Sequence, residues 1–312
     1  MRYSVTGVLI CAMTITANGQ APGDRPAANP RATRSVVLAR NGIIATSQPL
    51  ASAAGLRVLQ DGGNAIDAAV TAAAVLAVVE PTMNGLGGDL FAIVYDAETK
   101  TLRGLNASGR APEAATIEEF GRRKLGSIPE RGELSITVPG VVDGWHELLS
   151  MHGSITFGKA LEPAIEYARD GFAVSEIIAN QWRDARSVLA RDRIAASVFL
   201  PGGRAPAQGE VFRNPQLAAT FEGLANGGRD AFYRGSIGKA IAADIERRNG
   251  LLRESDLAEH VSTWVDPIST SYRGYDVYEL PPNTQGIVAL EMLNILEGFD
   301  LPALRHNSAE YL

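Results

Sequence analysis

The chain has 312 residues, of which 46% are hydrophobic and 21% charged, so it can bury a substantial core and is unlike a disordered protein. Its 29 basic and 35 acidic residues give a net charge of −6, which repels nucleic-acid phosphates unless a local basic patch overrides it. No such patch stands out in the sequence. We therefore expect a globular protein of one large or two moderate domains that does not bind nucleic acid.

Residues 1–20 have the layout of a secretory signal peptide. An early arginine, Arg2, precedes a short apolar stretch over 5–15, and small residues follow it. An apolar core of this length is too short for a permanent membrane anchor. The single cysteine, Cys11, lies inside it, so a mature exported form would hold no disulfide. We expect a periplasmic or secreted protein, with a cytosolic N-terminus as the alternative.

Residues 21–34 are rich in Pro, Ala and Arg without periodicity and are predicted to be a linker. The folded part, 35–312, is expected to begin with a buried strand over 35–39. The hairpin signal Arg40-Asn41-Gly42 follows it and would return the chain through 43–45.

Two helices are predicted next, over 49–60 and 65–80. The first ends at Asp61-Gly62-Gly63, where glycine suits a left-handed C-cap, and Asn64 caps the second. The second helix is apolar nearly all round, which is typical of a helix buried in a core. Strands are predicted over 90–95 and 101–105, joined by a polar turn.

Between the second helix and the first strand lie four special small residues, Asn84, Gly85, Gly87 and Gly88. Glycines permit positive φ and let a ligand or another segment approach exposed backbone N–H groups. The run lacks the Lys-Ser/Thr of a phosphate loop and the third glycine of a dinucleotide fingerprint. A tight turn in a crowded core is the alternative interpretation.

The wider sequence resembles the N-terminal region of γ-glutamyltransferases, also called glutathione hydrolases. The distinctive segments are GGNAIDAAV at 62–70 and EP-x-x-NGLGGDLF at 80–91, followed by NASGRAP at 106–112. The similarity continues through VPGVVDGWHELLSMHG at 138–153 and YRGYDVYELPPNTQG at 272–286. It therefore covers nearly everything after the linker.

This resemblance implies an N-terminal nucleophile hydrolase, an α+β fold with two stacked antiparallel sheets between helical layers. Family members are precursors that cut themselves in front of a threonine, which then acts as nucleophile and, through its α-amine, as general base. A γ-glutamyl group would be carried on that threonine and passed to water or to an amino acid. No metal or organic cofactor is implied.

No Thr-Thr-His-type motif occurs between Met1 and Leu312, so no catalytic residue is expected in this chain. The resemblance instead implies the large, non-nucleophilic portion, which needs a C-terminal small subunit from the same precursor and should be inactive alone. A fragment and a natural truncation are both compatible with this interpretation. A different amidohydrolase of the superfamily, acting on oxamate-like or acyl amides, and a non-catalytic module are the alternatives.

The resemblance implies one substrate-binding residue in this large, non-nucleophilic portion. The family carries an arginine in Arg-Glu-x-Ala-Pro that grips the substrate's α-carboxylate, and bidentate pairing explains the arginine. Here the aligned position is Ser108, and the guanidinium comes two residues later from Arg110. In an extended segment this offset keeps the same face but moves the side chain by roughly 7 Å. Arg110, less favourably Ser108, is the predicted substrate-binding residue, and a structural ion pair of Arg110 is the alternative.

For each of the remaining candidate residues, a purely structural role is the favoured interpretation. The four histidines, His146, His152, His260 and His306, show no metal-ligand spacing and are expected to be structural or surface residues. Asp67 could orient a site loop, but a contact to neighbouring backbone is favoured. The stretch 281–286 could line a pocket, but a strand-to-helix connection capped by Asn283 or Thr284 is favoured.

The middle of the chain, about 140–260, is predicted to be a helical lobe beside the sheets. Helices are expected over 141–152, 157–170, 176–193, 215–226 and 240–248, and strands return between 262 and 280.

Overall fold

The computed structural model describes residues 37–304 and 307–311. The predicted signal peptide, the linker and His306 lie outside these residues. The strand predicted over 35–39 is wrong for the part that is described, because 37–46 forms no strand and Val37 and Leu38 are 72% and 89% exposed. A strand needs a neighbour for its backbone hydrogen bonds, and none of the described strands pairs with this segment.

The two N-terminal helices form as predicted. Helix α1 spans Pro49–Gln60 and helix α2 spans Ala65–Val79, and they pack on each other. Between them Gly62 has φ +97°, a conformation that favours glycine. The side chain of Asn64 accepts hydrogen bonds from the start of α2, and Asp67 bonds back to the Asn64 N–H, so both cap α2.

The strand pair predicted over 90–95 and 101–105 is confirmed, whereas the hairpin predicted at Arg40-Asn41-Gly42 does not form. Strand β1 (Leu90–Asp96) pairs antiparallel with strand β2 (Thr101–Ala107), with Phe91 opposite Asn106 and Ile93 opposite Gly104. Strand β5 (Thr263–Val265) pairs with the other edge of β2, giving the order β1-β2-β5. Within the described residues β1 is therefore an edge strand.

Two further antiparallel pairs complete the described sheets. Strand β6 (Ile268–Tyr272) pairs with strand β7 (Tyr275–Glu279), and helix α11 (Gly286–Glu297) packs on this hairpin. Short strands β3 (Phe172–Ala173) and β4 (Val211–Phe212) pair within the helical region. Strands return between 262 and 280 as predicted.

The helices predicted between 140 and 260 form, with corrected bounds, and further short helices lie among them. The helices from 117 to 258 are α3 (Ile117–Arg122), α4 (Val141–His152), α5 (Phe157–Asp170), α6 (Glu176–Leu189), α7 (Arg193–Phe199), α8 (Pro215–Tyr233), α9 (Ser236–Arg247) and α10 (Glu254–Ala258). The predicted helix 176–193 ends earlier, at Leu189, and Asp192 caps a further helix, α7, that was not predicted. The predicted end at Asn226 falls two residues before a break at Gly228, where φ is +62° before the helix resumes.

The core lies between α2, α4, α5 and α8. Its largest fully buried side chains include Trp145 of α4 and Phe221 of α8, whose rings stack with centroids 6.4 Å apart. Helix α2 contributes many small apolar side chains, which lets its neighbours approach closely. In the described part of the chain, no helix has both the length and the apolar character that a membrane crossing requires.

Candidate active site

The segment after β2 is held by close backbone contact with the chain that enters α4. A Cβ on Gly109 would lie 1.4 Å from the carbonyl oxygen of Val138, and one on Gly140 would lie 1.9 Å from that of Ala107. The Val138 N–H also donates to the carbonyl of Arg110 at 3.0 Å. Only glycine fits at 109 and 140, so the backbone around Ser108 is fixed relative to the start of α4.

Replacing Gly109 by alanine is therefore expected to destabilise the protein by about 3 kcal/mol, because the Val138 carbonyl must move to admit the methyl group. Urea denaturation measures the loss. Gly87→Ala is the matched control, since a Cβ there meets no atom within 4 Å. Equal stability of the two variants would contradict the close contact.

Ser108 lies in a polar corner between three elements, defined by Asp89, Asn106, Ser108 and Asn283. Its hydroxyl accepts a hydrogen bond from Asn283 Nδ2 at 2.9 Å and donates to Asp89 Oδ2 at 3.3 Å. Asn106 Nδ2 donates to Asn283 Oδ1 at 2.8 Å. The Gly109 N–H donates to Asp89 Oδ1 at 3.1 Å. The polar corner therefore joins the start of β1, the end of β2 and the turn before α11.

Arg110 points to a different partner. Its Nη2 donates to Glu259 Oε2 at 2.9 Å, and its Nη1 lies 3.4 Å from the Glu259 carbonyl. Both side chains are largely exposed, at 48% and 70%. An exposed pair of this kind contributes about 0–1 kcal/mol to stability. The structural ion pair that was the alternative for Arg110 is thus present, and the role of Arg110 in substrate binding remains a prediction.

The glycine loop at 84–89 does not have the predicted backbone. None of Gly85, Gly87 and Gly88 has positive φ, and a Cβ on Gly85 or Gly87 would meet nothing within 4 Å. The expectation of positive φ is therefore wrong at these three glycines, and the alternative of a crowded turn is wrong at Gly85 and Gly87, whereas a Cβ on Gly88 would lie 3.3 Å from the Gly85 carbonyl oxygen. The loop is instead held at its ends, where Asn84 Nδ2 donates to Glu80 at 2.7 Å and the Gly88 carbonyl accepts from the first two N–H groups of the α4 entry.

A cavity of about 330 Å³ lies under this loop, at the start of β1 and against α2 and α4. Asn84, Gly85 and Gly88 line it, so the structure brings three of the four predicted small residues to one concave surface. Asp89 also lines the cavity and is shared with the polar corner. Most of the other lining side chains are apolar, including Leu90, Val141 and Trp145.

Behind the polar corner lies a buried network that sequence reasoning missed. The Asp143 carboxylate accepts hydrogen bonds from Arg229 Nε and from the backbone N–H of Ser262, the latter at 2.6 Å. The Tyr233 hydroxyl donates to the Pro139 carbonyl at 2.8 Å and accepts from the Asp143 N–H at 3.1 Å. The network thus fixes the start of α4, whose N–H groups hold Gly88.

The electrostatics of this network favour a charged Asp143. Burial acts to raise the pKa of Asp143, but hydrogen bonds from Ser262 and Arg229 outweigh it and leave the pKa below its ordinary value. Burial lowers the pKa of His260, which stacks on Tyr233 with ring centroids 5.3 Å apart. Nothing in the sequence spacing of these residues marked them, since they lie on separate elements.

The other candidates have structural roles. His260 is buried and His152 stacks edge-on against Trp264, as expected of structural histidines. Among the described residues no group of three or more His, Cys, Asp and Glu side chains could hold a metal ion. Asp67 accepts from the N–H groups of Asn64 and Ser154 at 2.8 and 2.9 Å, which confirms the backbone contact.

The connection before α11 was predicted in part. It joins β7 to α11 as expected, but the N-cap is Gln285, and its side chain makes no cap bond. Asn283 turns away to the polar corner, so the expectation that it caps the helix is wrong. Thr284 Oγ1 accepts from the Gly286 N–H at 3.3 Å and keeps a local role.

Comparison with solved structures defines the class of protein to which this fold belongs. The structure is similar to a crystal structure of Helicobacter pylori gamma-glutamyltranspeptidase, with a TM-score of 0.83, 31% identity and coverage of 89% of this chain and 80% of that one. It is also similar to cephalosporin acylase from Bacillus halodurans, with a TM-score of 0.82, 41% identity and coverage of 92% and 54%. These neighbours confirm the N-terminal nucleophile hydrolase fold.

The family model described as gamma-glutamyltranspeptidase matches residues 51–312, and this chain belongs to that family of enzymes. A curated relative, the glutathione hydrolase-like YwrD proenzyme of Bacillus subtilis (strain 168), is 39% identical over 276 residues, which cover 88% of this chain and 52% of the relative. The chain thus spans about half the length of the curated relatives it matches.

Proposed function

We propose that this chain is the large, non-nucleophilic portion of an exported amide hydrolase or γ-glutamyl transferase, and that it is inactive alone. The observation that carries the proposal is the continuous family match over 51–312 in a chain that spans about half of its curated relatives. Several of those relatives are named proenzymes. The nucleophilic threonine is therefore expected on a small subunit cut from the same precursor.

An exposed apolar surface supports this partner. Phe91, Ile93 and Tyr95 alternate along one face of β1 and are 41%, 42% and 61% exposed. We call these three residues the β1 face. A half-exposed strand normally presents polar residues to water, so an apolar face on an edge strand indicates an interaction site. We assign the β1 face to the small subunit.

The chemistry would proceed in two steps. The threonine hydroxyl attacks the amide carbonyl, its proton passes by way of the threonine α-amine to the leaving amine, and an ester forms. Water or an acceptor amine then attacks the ester, which releases the acid or the new amide and restores the hydroxyl. This chain would contribute walls of the acyl site, namely the glycine loop at 84–89, Ser108 and Arg110.

The test is expression of the complete precursor beside the chain 1–312. We expect the precursor to cleave itself into two subunits, visible on a denaturing gel, and to hydrolyse an amide from a panel of γ-glutamyl and simple acyl p-nitroanilides. The chain 1–312 should release no p-nitroaniline. Turnover by 1–312 alone would contradict the proposal, and a precursor that neither cleaves itself nor turns over would favour a non-catalytic module.

A different amidohydrolase specificity is the second candidate, favoured by one observation. Ser108, at the position of the family's carboxylate-binding arginine, donates to the Asp89 carboxylate and accepts from Asn283, and Arg110 is paired with Glu259. One of the similar solved structures is a cephalosporin acylase, an enzyme named for a different amide.

A further inference from the structure

We propose that the acyl group accepted by this enzyme carries no carboxylate and is largely apolar, so that an uncharged acyl amide is preferred over a γ-glutamyl amide. This inference rests on the proposed function, because it names the substrate class of the same site. It follows from the charges around the cavity under the glycine loop and around Arg110.

The cavity itself is apolar with one acidic wall. Its volume of about 330 Å³ is at the lower end of small-molecule sites, which are roughly 300–1,000 Å³. Ala73, Ala77, Leu90 and Trp145 contribute apolar surface from three elements. Among the described residues that line it, Asp89 is the one charged side chain. An apolar chain would bury its surface there, whereas a carboxylate would lose water without gaining a cationic partner.

The Asp89 side chain is held in place by two hydrogen-bond donors. Its two oxygens accept from the Ser108 hydroxyl and the Gly109 N–H, at 3.3 and 3.1 Å. Those donors keep the carboxylate facing the end of β2, where the family's arginine would provide positive charge. Two unit negative charges near a protein surface repel at contact distance strongly enough to change a rate by about tenfold or more.

Arg110 does not offset the negative charge of Asp89. Its guanidinium is paired with Glu259 at 2.9 Å, so the pair has no net charge. A substrate carboxylate that approached Arg110 would also approach Glu259 and be repelled by it. The polar corner and the Arg110–Glu259 pair together therefore carry one net negative charge, from Asp89.

Four matched substrates separate charge from size, namely the butanoyl, 4-aminobutanoyl, glutaryl and γ-L-glutamyl p-nitroanilides. All four have a four-carbon acyl chain. In the order given, its last carbon carries neither group, an amine, a carboxylate, or both. On the complete, self-cleaved enzyme we expect kcat/KM for the two carboxylate-bearing substrates to be about tenfold or more below that of their counterparts without a carboxylate.

Two variants test whether Asp89 and Glu259 cause the lower kcat/KM of the carboxylate-bearing substrates. Asp89→Asn and Glu259→Gln each remove a negative charge, so each should raise the ratio of glutaryl to butanoyl kcat/KM several-fold within the same enzyme. Glu210→Gln breaks a comparable exposed pair with Arg204, which is 2.8 Å long, and should leave the ratio unchanged. Because the readout is a ratio, a general loss of activity does not affect it.

The outcomes are distinct. A γ-glutamyl or glutaryl substrate that is turned over as well as its counterpart without a carboxylate would overturn this inference and leave the proposed function intact. Unchanged ratios in Asp89→Asn and Glu259→Gln would also overturn it. A self-cleaved protein that hydrolyses none of the four substrates or any other amide would instead reject the proposed function.

Discussion

Replacing Arg229 by alanine is expected to lower the free energy of unfolding by about 3 kcal/mol or more. Arg229 Nε donates to the Asp143 carboxylate, whose side chain is 1% exposed, and its guanidinium lies 4.7 Å from the centre of the Tyr233 ring. Removing the arginine leaves a buried carboxylate without its cation, and desolvation of that charge is no longer offset. Denaturant titration of the assembled protein measures the loss.

Arg234→Ala is the matched control, because Arg234, the C-cap of α8, pairs with exposed Asp230 in the last turn of that helix, and its loss should cost less than about 1 kcal/mol. If the two variants lose similar stability, the Arg229–Asp143 pair does not hold the start of α4. The pH dependence has a defined sign. Because the folded-state pKa of Asp143 is lowered, its contribution is present above the ordinary aspartate pKa of about 3.9 and is lost as the pH falls below it.

The Arg229→Ala substitution should also affect the candidate active site. Helix α4 begins where Gly140 and Val141 donate to the carbonyl of Gly88, so loosening that start also releases the glycine loop next to Asp89. In the complete enzyme, Arg229→Ala should therefore lower kcat/KM even at temperatures where the protein remains folded. A purely global effect would leave activity per folded molecule unchanged.

Replacing Ile93 by glutamate is expected to weaken association with the small subunit. Ile93 is the centre of the β1 face and is 42% exposed in this chain. Burying an isoleucine contributes about 1.5–3 kcal/mol, and an unpaired carboxylate in its place adds a desolvation cost. Loss of about 3 kcal/mol weakens binding by roughly 100-fold. Size-exclusion chromatography of the cleaved precursor, or recovery of the small subunit on a tagged large subunit, measures the association.

Val211→Glu provides the control for a new exposed charge. Val211 lies on β4, in a different sheet, and is 49% exposed. We expect this variant to assemble normally. If Ile93→Glu also retains its partner, the β1 face is not the contact surface, and the small subunit must bind elsewhere.

Local features of the chain were predictable from sequence because their causes lie within a few residues. Asn64 and Asp67 cap α2 through bonds that span three positions, and Gly62 takes the left-handed conformation that ends α1. The apolar periodicity of α4 and α5 gave their bounds, and the family was recognisable from short motifs. Helix α7 was not predicted, although Asp192 caps it with a local hydrogen bond of the same kind.

Other features depended on residues far apart in the chain. The strand predicted at 35–39 had a suitable composition, but composition alone does not provide the neighbouring strand that a ladder needs. The glycines of the loop at 84–89 are compatible with positive φ. The conformation that the loop adopts is set instead by the hydrogen bonds between the Gly88 carbonyl and the start of α4. Neither fact can be read from the local sequence.

By itself, the sequence determined the family, most of the longer helices with the cap of α2, and the two residues that compete for the substrate-binding role, Ser108 and Arg110. Only the tertiary structure decided the partners of those residues. Arg110 meets Glu259 across 149 positions, and Ser108 meets Asn283 across 175. The physical reason is that capping and periodicity act over about one helical turn, whereas the charge balance of a site is set by side chains that packing brings together from separate elements.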